Sequence, residues 1–292
     1  MSSENTNTVQ NSHLNVDLDA KPFLVYGDRF GTASEKNDIK FENVEIDLKT
    51  TKPDAKGVMA IFGARSRKTA NDNKISIINT NFTGDTKRVG LIVGATVDAY
   101  ISSFSERDVT KQPPLEGANR NVIEIRGSTI PGGGLIAARY YDHDKAKVDT
   151  TKLRFEENRI EIHDTKLGAQ NIFAVRDGMP NLYDWTAENN HLVIGKNVTE
   201  VDGSTLSLAN LWGASGGLPM KNFKGNTFDL SSPVITESFG GAQHLAFHVD
   251  QKMVESGQPV LKVTGKVPVR FGRDGDFKST VTLTGADATV EE

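Results

Sequence analysis

The chain reads as an all-β protein: a right-handed parallel β-helix, or β-solenoid, of about six coils with terminal β caps. Three observations predict it. An asparagine-anchored strand pattern recurs along most of the 292 residues. A Gly/Ala-rich apolar segment recurs once per repeat. The composition, with 27 Gly and 7% aromatic residues, sets frequent corners against few large core side chains.

The anchored strand reads Asn, apolar at +2 and +4, and apolar again at +9. Asn37 gives Ile39, Phe41 and Ile46; Asn73 gives Ile75, Ile77 and Phe82; Asn121 gives Ile123, Ile125 and Ile130. Asn158 gives Ile160, Ile162 and Leu167, and Asn226 gives Phe228, Leu230 and Ile235. Asn190 keeps Leu192 and Ile194 but has Thr199 at +9. Successive anchors lie 36, 48, 37, 32 and 36 residues apart, a loose period of the kind that marks stacked repeats. Apolar and polar residues alternate through +4, as in Asn73 to Ile77 (NKISI), which is the signature of a strand with one buried face. The polar residues that follow (Gly127, Ser128, Thr129; Asp164, Thr165, Lys166) read as a corner leading into another short strand. The anchors themselves are expected to form an internal ladder, each amide bonding to the next turn.

The second strand of each unit is Val58 to Arg65 (VMAIFGAR), Val89 to Val97, Gly134 to Arg139 (GLIAAR), Asn171 to Arg176, Leu206 to Ala214 and Leu245 to Val249. The variable stretches between units are Ser66 to Asp72, Asp98 to Arg120, Tyr140 to Glu157, Asp177 to Glu188 and Ser215 to Gly225. Insertions at a constant place map to loops on one side of a solenoid, and loops carry function. Both ends of such a stack need covering. The expected organisation is an N-terminal cap or extension over 1–36, solenoid repeats over 37–235, and a last coil with a C-terminal β cap over 236–292. Strand-like runs at Val260 to Val263, Val267 to Phe271 and Val281 to Leu283, with the turn Gly272 to Gly275, read as hairpins within that last cap.

Composition excludes several functions. Lys plus Arg number 34 against 38 Asp plus Glu, for a formal charge of -4, so no basic excess exists to hold nucleic acid. The absence of cysteine removes disulfides, thiolate zinc sites and cysteine nucleophiles. No apolar run approaches the roughly 20 residues of a membrane helix, so no membrane insertion by this segment is expected. The first 20 residues have neither the basic nor the apolar region of a signal peptide.

The units beginning at Asn158 (NRIEI) and Asn190 (NHLVI), the latter followed by Leu211 to Gly217 (LWGASGG), resemble passenger repeats of autotransporters, the type V secretion proteins of Gram-negative bacteria. Leu245 to Val249 (LAFHV) and Gln258 to Gly265 (QPVLKVTG) look like the end of such passengers. The resemblance runs from about Asn37 to Gly265. It implies a secreted or surface-displayed parallel β-helix acting in adhesion or host interaction, and the lack of a signal peptide and of a barrel implies a fragment of a larger exported protein.

For binding, the densest polar cluster is Arg139, Tyr140, Tyr141, Asp142, His143 and Asp144. Asp142 and Asp144 could serve a cation as oxygen ligands, with the tyrosines as a stacking surface for a sugar; two carboxylates fall short of the count calcium needs, so no metal is expected. Arg65, Arg139 and Arg176 each end a Gly/Ala-rich strand, so they line up as a stripe along one edge. That stripe either holds acidic glycans or consists of solvated strand-end charges. His244 and His248 are the one histidine pair at a metal-like spacing, and a strand gives them no fixed geometry. Trp185 and Trp212 are candidate exposed anchors. Acids are dispersed, so neither a catalytic set nor a cofactor is expected. The leading expectation is a non-catalytic passenger presenting loops to a host or bacterial surface protein or a glycan. The alternatives are a carbohydrate-active β-helix enzyme and a structural, self-associating solenoid.

Overall fold

A computed structural model describes residues 4–98, 114–141, 151–168, 171–176 and 186–201, and short strands at 222–224, 227–230, 245–247, 262–264, 269–271, 282–284 and 290–291. The first coil holds β1 (Thr6–Asp17) and β2 (Phe23–Glu35), and the second β3 (Asp38–Lys49) and β4 (Met59–Asn71). The third holds β5 (Lys74–Ile78), β6 (Asn81–Gly84) and β7 (Val89–Asp98). In the fourth, β8 (Val122–Arg126), β9 (Thr129–Ile130), β10 (Gly134–Tyr141) and β11 (Arg154–Glu156) follow one another. The fifth repeats this with β12 (Arg159–His163), β13 (Lys166–Leu167), β14 (Asn171–Arg176) and β15 (Thr186–Glu188). Beyond them come β16 (His191–Ile194), β17 (Thr199–Glu200), β18 (Asn222–Lys224) and β19 (Thr227–Leu230).

Every pairing is parallel and joins equivalent strands of neighbouring coils. Ile75, Ile123 and Ile160 occupy one register position, and Ile77, Ile125 and Ile162 the next inward one. All six are fully buried, so the repeat stacks into one interior. The second sheet runs in the order β14-β10-β7-β4-β2. The solenoid makes about four turns, fewer than the six coils counted from sequence; Asn226 and the Leu206 to Ala214 segment, which enter that count, lie outside the described residues.

One buried amide ladder runs down the stack. The Nδ2 groups of Asn37, Asn73, Asn121 and Asn158 donate to the Oδ1 of Asn73, Asn121, Asn158 and Asn190 at 2.7, 2.9, 2.9 and 2.9 Å. The backbone N–H of each donor residue reaches the same oxygen at 3.0–3.2 Å. In a low-dielectric interior such a fully satisfied chain of amides fixes register. The ladder has one further rung: Asn5 donates from Nδ2 to Asn37 Oδ1 at 2.9 Å. Thus the residues from Asn5 to Glu35, within the segment expected to be an N-terminal cap or extension, stack on the next coil by the same plan.

Two left-handed corners flank this strand. The residue before each anchor (Lys36, Asp72, Arg120, Glu157, Asn189) has φ of 54–58°. Six residues after the anchor, Asn11, Asn43, Asn79, Gly127 and Asp164 have φ of 47–58°, a conformation that Asn, Asp and Gly adopt most readily. In the Asn190 coil the corresponding residue, Asn197 at φ 54°, comes one place later. That extra residue pairs Leu167 with Glu200 and Lys166 with Thr199, which is why the +9 position fails there.

The second sheet bends where it faces the amide ladder. Gly63 has no room for a side chain, since a Cβ there would lie 2.3 Å from Gly94 O and 3.5 Å from Asn73 Cβ. Gly94 likewise sits against Ala137. Small residues therefore stack at this position because the backbones approach one another, and Ala137 and Ala174 continue the row, fully buried.

At the far end, β20 (Leu245–Phe247), β21 (Lys262–Thr264), β22 (Val269–Phe271), β23 (Thr282–Thr284) and β24 (Val290–Glu291) pair as β20-β22-β24 and β21-β23, all in parallel. Hairpins are thereby excluded for these strands. Successive strands here alternate between two sheets.

Candidate functional site

The coils differ in length at one corner. β2 and β4 turn it without interruption, running on to Glu35 and Asn71. In the next three coils the strand is described as far as Asp98, Tyr141 and Arg176. Further along, Gly117 bridges Thr69 and Arg154, and β11 pairs with β15 in the stack. Because Val97 pairs with both Ser66 and Tyr140, Asp98 and Tyr141, which precede the connections 99–116 and 142–153, share one register, which β4 simply crosses, and Arg176, which precedes 177–185, lies two positions before it.

At the base of these connections lies the arginine stripe. Arg65, Thr96, Arg139 and Arg176 share a register position, as the sequence pattern implies, and Arg29 joins them through β2. The cations are engaged at the strand ends. Arg65 Nε donates to Asp98 Oδ2 at 2.6 Å, a contact between a guanidinium side chain only 15% exposed and a carboxylate 3% exposed. Arg139 Nε donates to Thr96 Oγ1 at 2.9 Å, and its guanidinium lies 5.6 Å from the Phe62 ring and 5.2 Å from the Tyr141 ring. Arg29 stands 5.0 Å from the Tyr26 ring, which stacks on Phe62 at 4.9 Å. Neither of the expected roles describes Arg65: it forms an ion pair that clamps the last residue of β7, where connection 99–116 begins. A guanidinium pairing with a buried carboxylate meets the condition for keeping that charge out of water.

Tyr140 and Tyr141 part company. Tyr140 is 3% exposed and belongs to the interior cluster, so it offers no stacking surface to a sugar. The sheet bends at Ala137 and Ala138, which both pack inward, and this reverses the alternation a straight strand would keep. Tyr141 points outward beside Arg139. Asp142, His143, Asp144, Trp185, Trp212, His244 and His248 lie outside the described residues, as does the Arg176 side chain. Asp98, Thr96, Phe62, Tyr26 and Arg29 were missed as members of this cluster; the alignment of VGLIVGATV with VMAIFGAR could have supplied Thr96.

The outer side of the second sheet is apolar as well. Ala60, Phe62, Val93 and Ile136 form a separate buried cluster with Tyr26 and Leu91 packed on it. Strands buried on both faces read as unbroken apolar runs, which is the character of LIV in β7 and GLIAA in β10.

The opposite face of the coil is charged. Lys74, Glu124, Arg126, Glu161, Arg159 and His163 interlock on the outer surface of β5, β8 and β12. Burial acts to raise the pKa of Glu161, but hydrogen bonding from His163 and the Arg159 charge outweigh it and hold the carboxyl below its ordinary value. For Glu124, burial is likewise outweighed, by Arg126 and Lys74. Burial, with Arg159 nearby, pushes the His191 pKa down. Among the described residues no group of three or more His, Asp or Glu is placed to hold a metal ion, and no helix is long and apolar enough to cross a membrane.

No protein-family model, curated protein or solved structure matches the chain. The class of protein is set by the architecture alone: a parallel β-solenoid with repeated coils.

Proposed function

We propose that this chain is a non-catalytic, passenger-like β-solenoid of a secreted or surface-displayed protein. In this reading it presents the connections 99–116, 142–153 and 177–185 as one composite binding surface for a glycan or a surface protein. The observation that carries the reading is a shared side of the coil: Asp98 and Tyr141, which precede two of the connections, share a register, and Arg176, which precedes the third, lies two positions before it, beside the Arg65–Asp98 pair and the Arg139–Tyr141 contact. A rigid scaffold with variable loops at one place is how binding surfaces are commonly built. The autotransporter resemblance of the repeats supports the same reading.

The test is a glycan and surface-protein binding screen run on two forms of the full chain. In one form the three connections are replaced by short Gly/Ser linkers. The other carries neutral substitutions on the charged face at Glu124, Arg126 and Glu161. Binding lost in the first form and retained in the second supports the proposal. Binding that survives loop replacement, or turnover of a polysaccharide, overturns it.

A further inference from the structure

The chain is acidic overall, at a formal charge of -4, but the outer side of the second sheet gathers cations. Arg29, Arg65 and Arg139 share a register with Thr96, and Arg67 follows two residues after Arg65 in β4. Asp98 is already committed, being 3% exposed and paired with Arg65. Arg67 is not used in this way. Ser66 before it is buried and pairs with Val97, so Arg67 turns outward, level with Asp98 and Tyr141. It is exposed, and among the described residues no hydrogen bond or ion pair engages it.

The rings beside these cations narrow the kind of anion that fits. Tyr26 stacks on Phe62 at an interplanar angle of 12°, and Arg29 lies over Tyr26. Arg139 reaches back across β7, bonded to Thr96 Oγ1, and its guanidinium stands over both Phe62 and Tyr141. Tyr26 and Tyr141 are half-buried, so part of each ring faces outward. Rings flanked by guanidiniums suit a ligand that has apolar ring faces and carboxylates at its rim, which is the chemistry of a uronic-acid sugar. Nucleic acid suits the patch less well. Backbone binding draws on about 6–10 phosphate contacts, whereas four guanidiniums stand here and one of them is already paired.

We propose that this patch holds an acidic glycan, with Tyr26 and Tyr141 against the sugar faces and Arg29, Arg67 and Arg139 taking its carboxylates. The inference rests on the binding role proposed above and narrows the ligand to carboxylated sugars. Arg67 sets the specificity, because its charge is not spent on holding the coils together.

The test is calorimetric titration of the full chain with hyaluronan, a carboxylated glycan without sulfate. Binding should weaken as salt is added, and dextran, a neutral glycan, should not bind. Arg67→Gln should weaken hyaluronan binding about tenfold and leave the urea midpoint unchanged. Lys196→Gln, exposed at a distant corner, should change neither. An absence of hyaluronan binding overturns the proposal, as does equal binding of dextran or of inorganic polyphosphate, or full affinity in Arg67→Gln. The form with linkers in place of the three connections separates this proposal from the one it rests on. If that form binds hyaluronan in an Arg67-dependent way, the patch stands and the composite loop surface falls. If it loses binding that Arg67→Gln keeps, the loops stand and the patch falls. Loss of binding in both forms supports both.

Discussion

The asparagine corner and the insertion corner belong to the same coils, yet one is held constant and the other varies. At the first, Asn37, Asn73, Asn121 and Asn158 each meet the next anchor through two hydrogen bonds, and among the described residues the left-handed residue stands immediately before every anchor from Asn37 to Asn190. At the second, the strand crosses without a break in β4 and gives way to connections after β7, β10 and β14. The difference is one of what closes the gap between coils. Buried amides have donors and acceptors that only the neighbouring rung can satisfy, so an inserted residue there would orphan several polar groups at once. The insertion corner is closed by ion pairs and ring contacts anchored on side chains that precede the break, and the chain beyond them is free to lengthen.

The largest expected effect breaks the constant corner. Asn121→Ala leaves Asn73 Nδ2, the Asn73 backbone N–H and Ala70 O without their Asn121 partners, while Asn158 Oδ1 keeps the backbone N–H of residue 121. Each buried group so orphaned costs about 1–3 kcal/mol, and the loss should total about 3–5 kcal/mol in the urea midpoint analysed with an unchanged slope. Asn121→Asp should be no rescue, since the new oxygen faces Asn158 Oδ1 and Ala70 O. A loss below about 1 kcal/mol would mean the ladder is decoration on an apolar core.

The matching change at the insertion corner is Asp98→Ala, which deprives Arg65 of its buried counter-charge. The pair is not fully sealed from water, so a loss of about 2–3 kcal/mol is expected, at the lower side of what breaking a buried pair costs. Its character should differ from the first: hydrogen exchange should quicken around Thr96 and Val97 while the Ile123 and Ile160 amides stay protected. A uniform loss of protection would show that both corners belong to one cooperative unit.

Gly63→Ala probes the bend between them. The added Cβ meets Gly94 O at 2.3 Å, so the two coils must part, at about 1–3 kcal/mol. The same position already carries Ala137 and Ala174 lower in the stack. Gly63→Ala combined with Gly94→Ala should therefore cost less than the two changes added together, measured as a double-mutant cycle.

These contrasts also explain what the sequence displays. Five anchors and their isoleucines were legible because an amide ladder tolerates one residue type and a buried strand face tolerates few. The Asn5 coil was hidden because its +2 residue is Asn7, a polar residue where the aligned coil has Ile39. The Tyr140 and Tyr141 assignments required knowing where the sheet bends, which depends on the Gly63–Gly94 approach in three dimensions and leaves no period-2 trace. Arg65 was legible as a stripe member, but its partner Asp98 was not, because strand register across 33 residues decides which carboxylate a guanidinium meets.

The smallest expected effect sets the amide ladder against the charged outer face. Hydrogen bonding from His163 and the Arg159 charge, acting against burial, hold the Glu161 carboxyl below its ordinary value. A carboxylate depressed in the folded state contributes stability that is complete above its unfolded pKa of about 4.3 and is lost as pH falls through the lower folded value. The natural chain should therefore weaken below about pH 4.3, and Glu161→Gln should flatten part of that acid limb. The change at neutral pH should be below about 1 kcal/mol, since the network is partly solvated. Denaturant midpoints at pH 7 and pH 3 check both parts. Asn121→Ala, by contrast, removes no titrating group, so its loss should be the same at both pH values. A pH-dependent loss for Asn121→Ala would mean that the ladder and the outer-face charges are coupled through the strand they share.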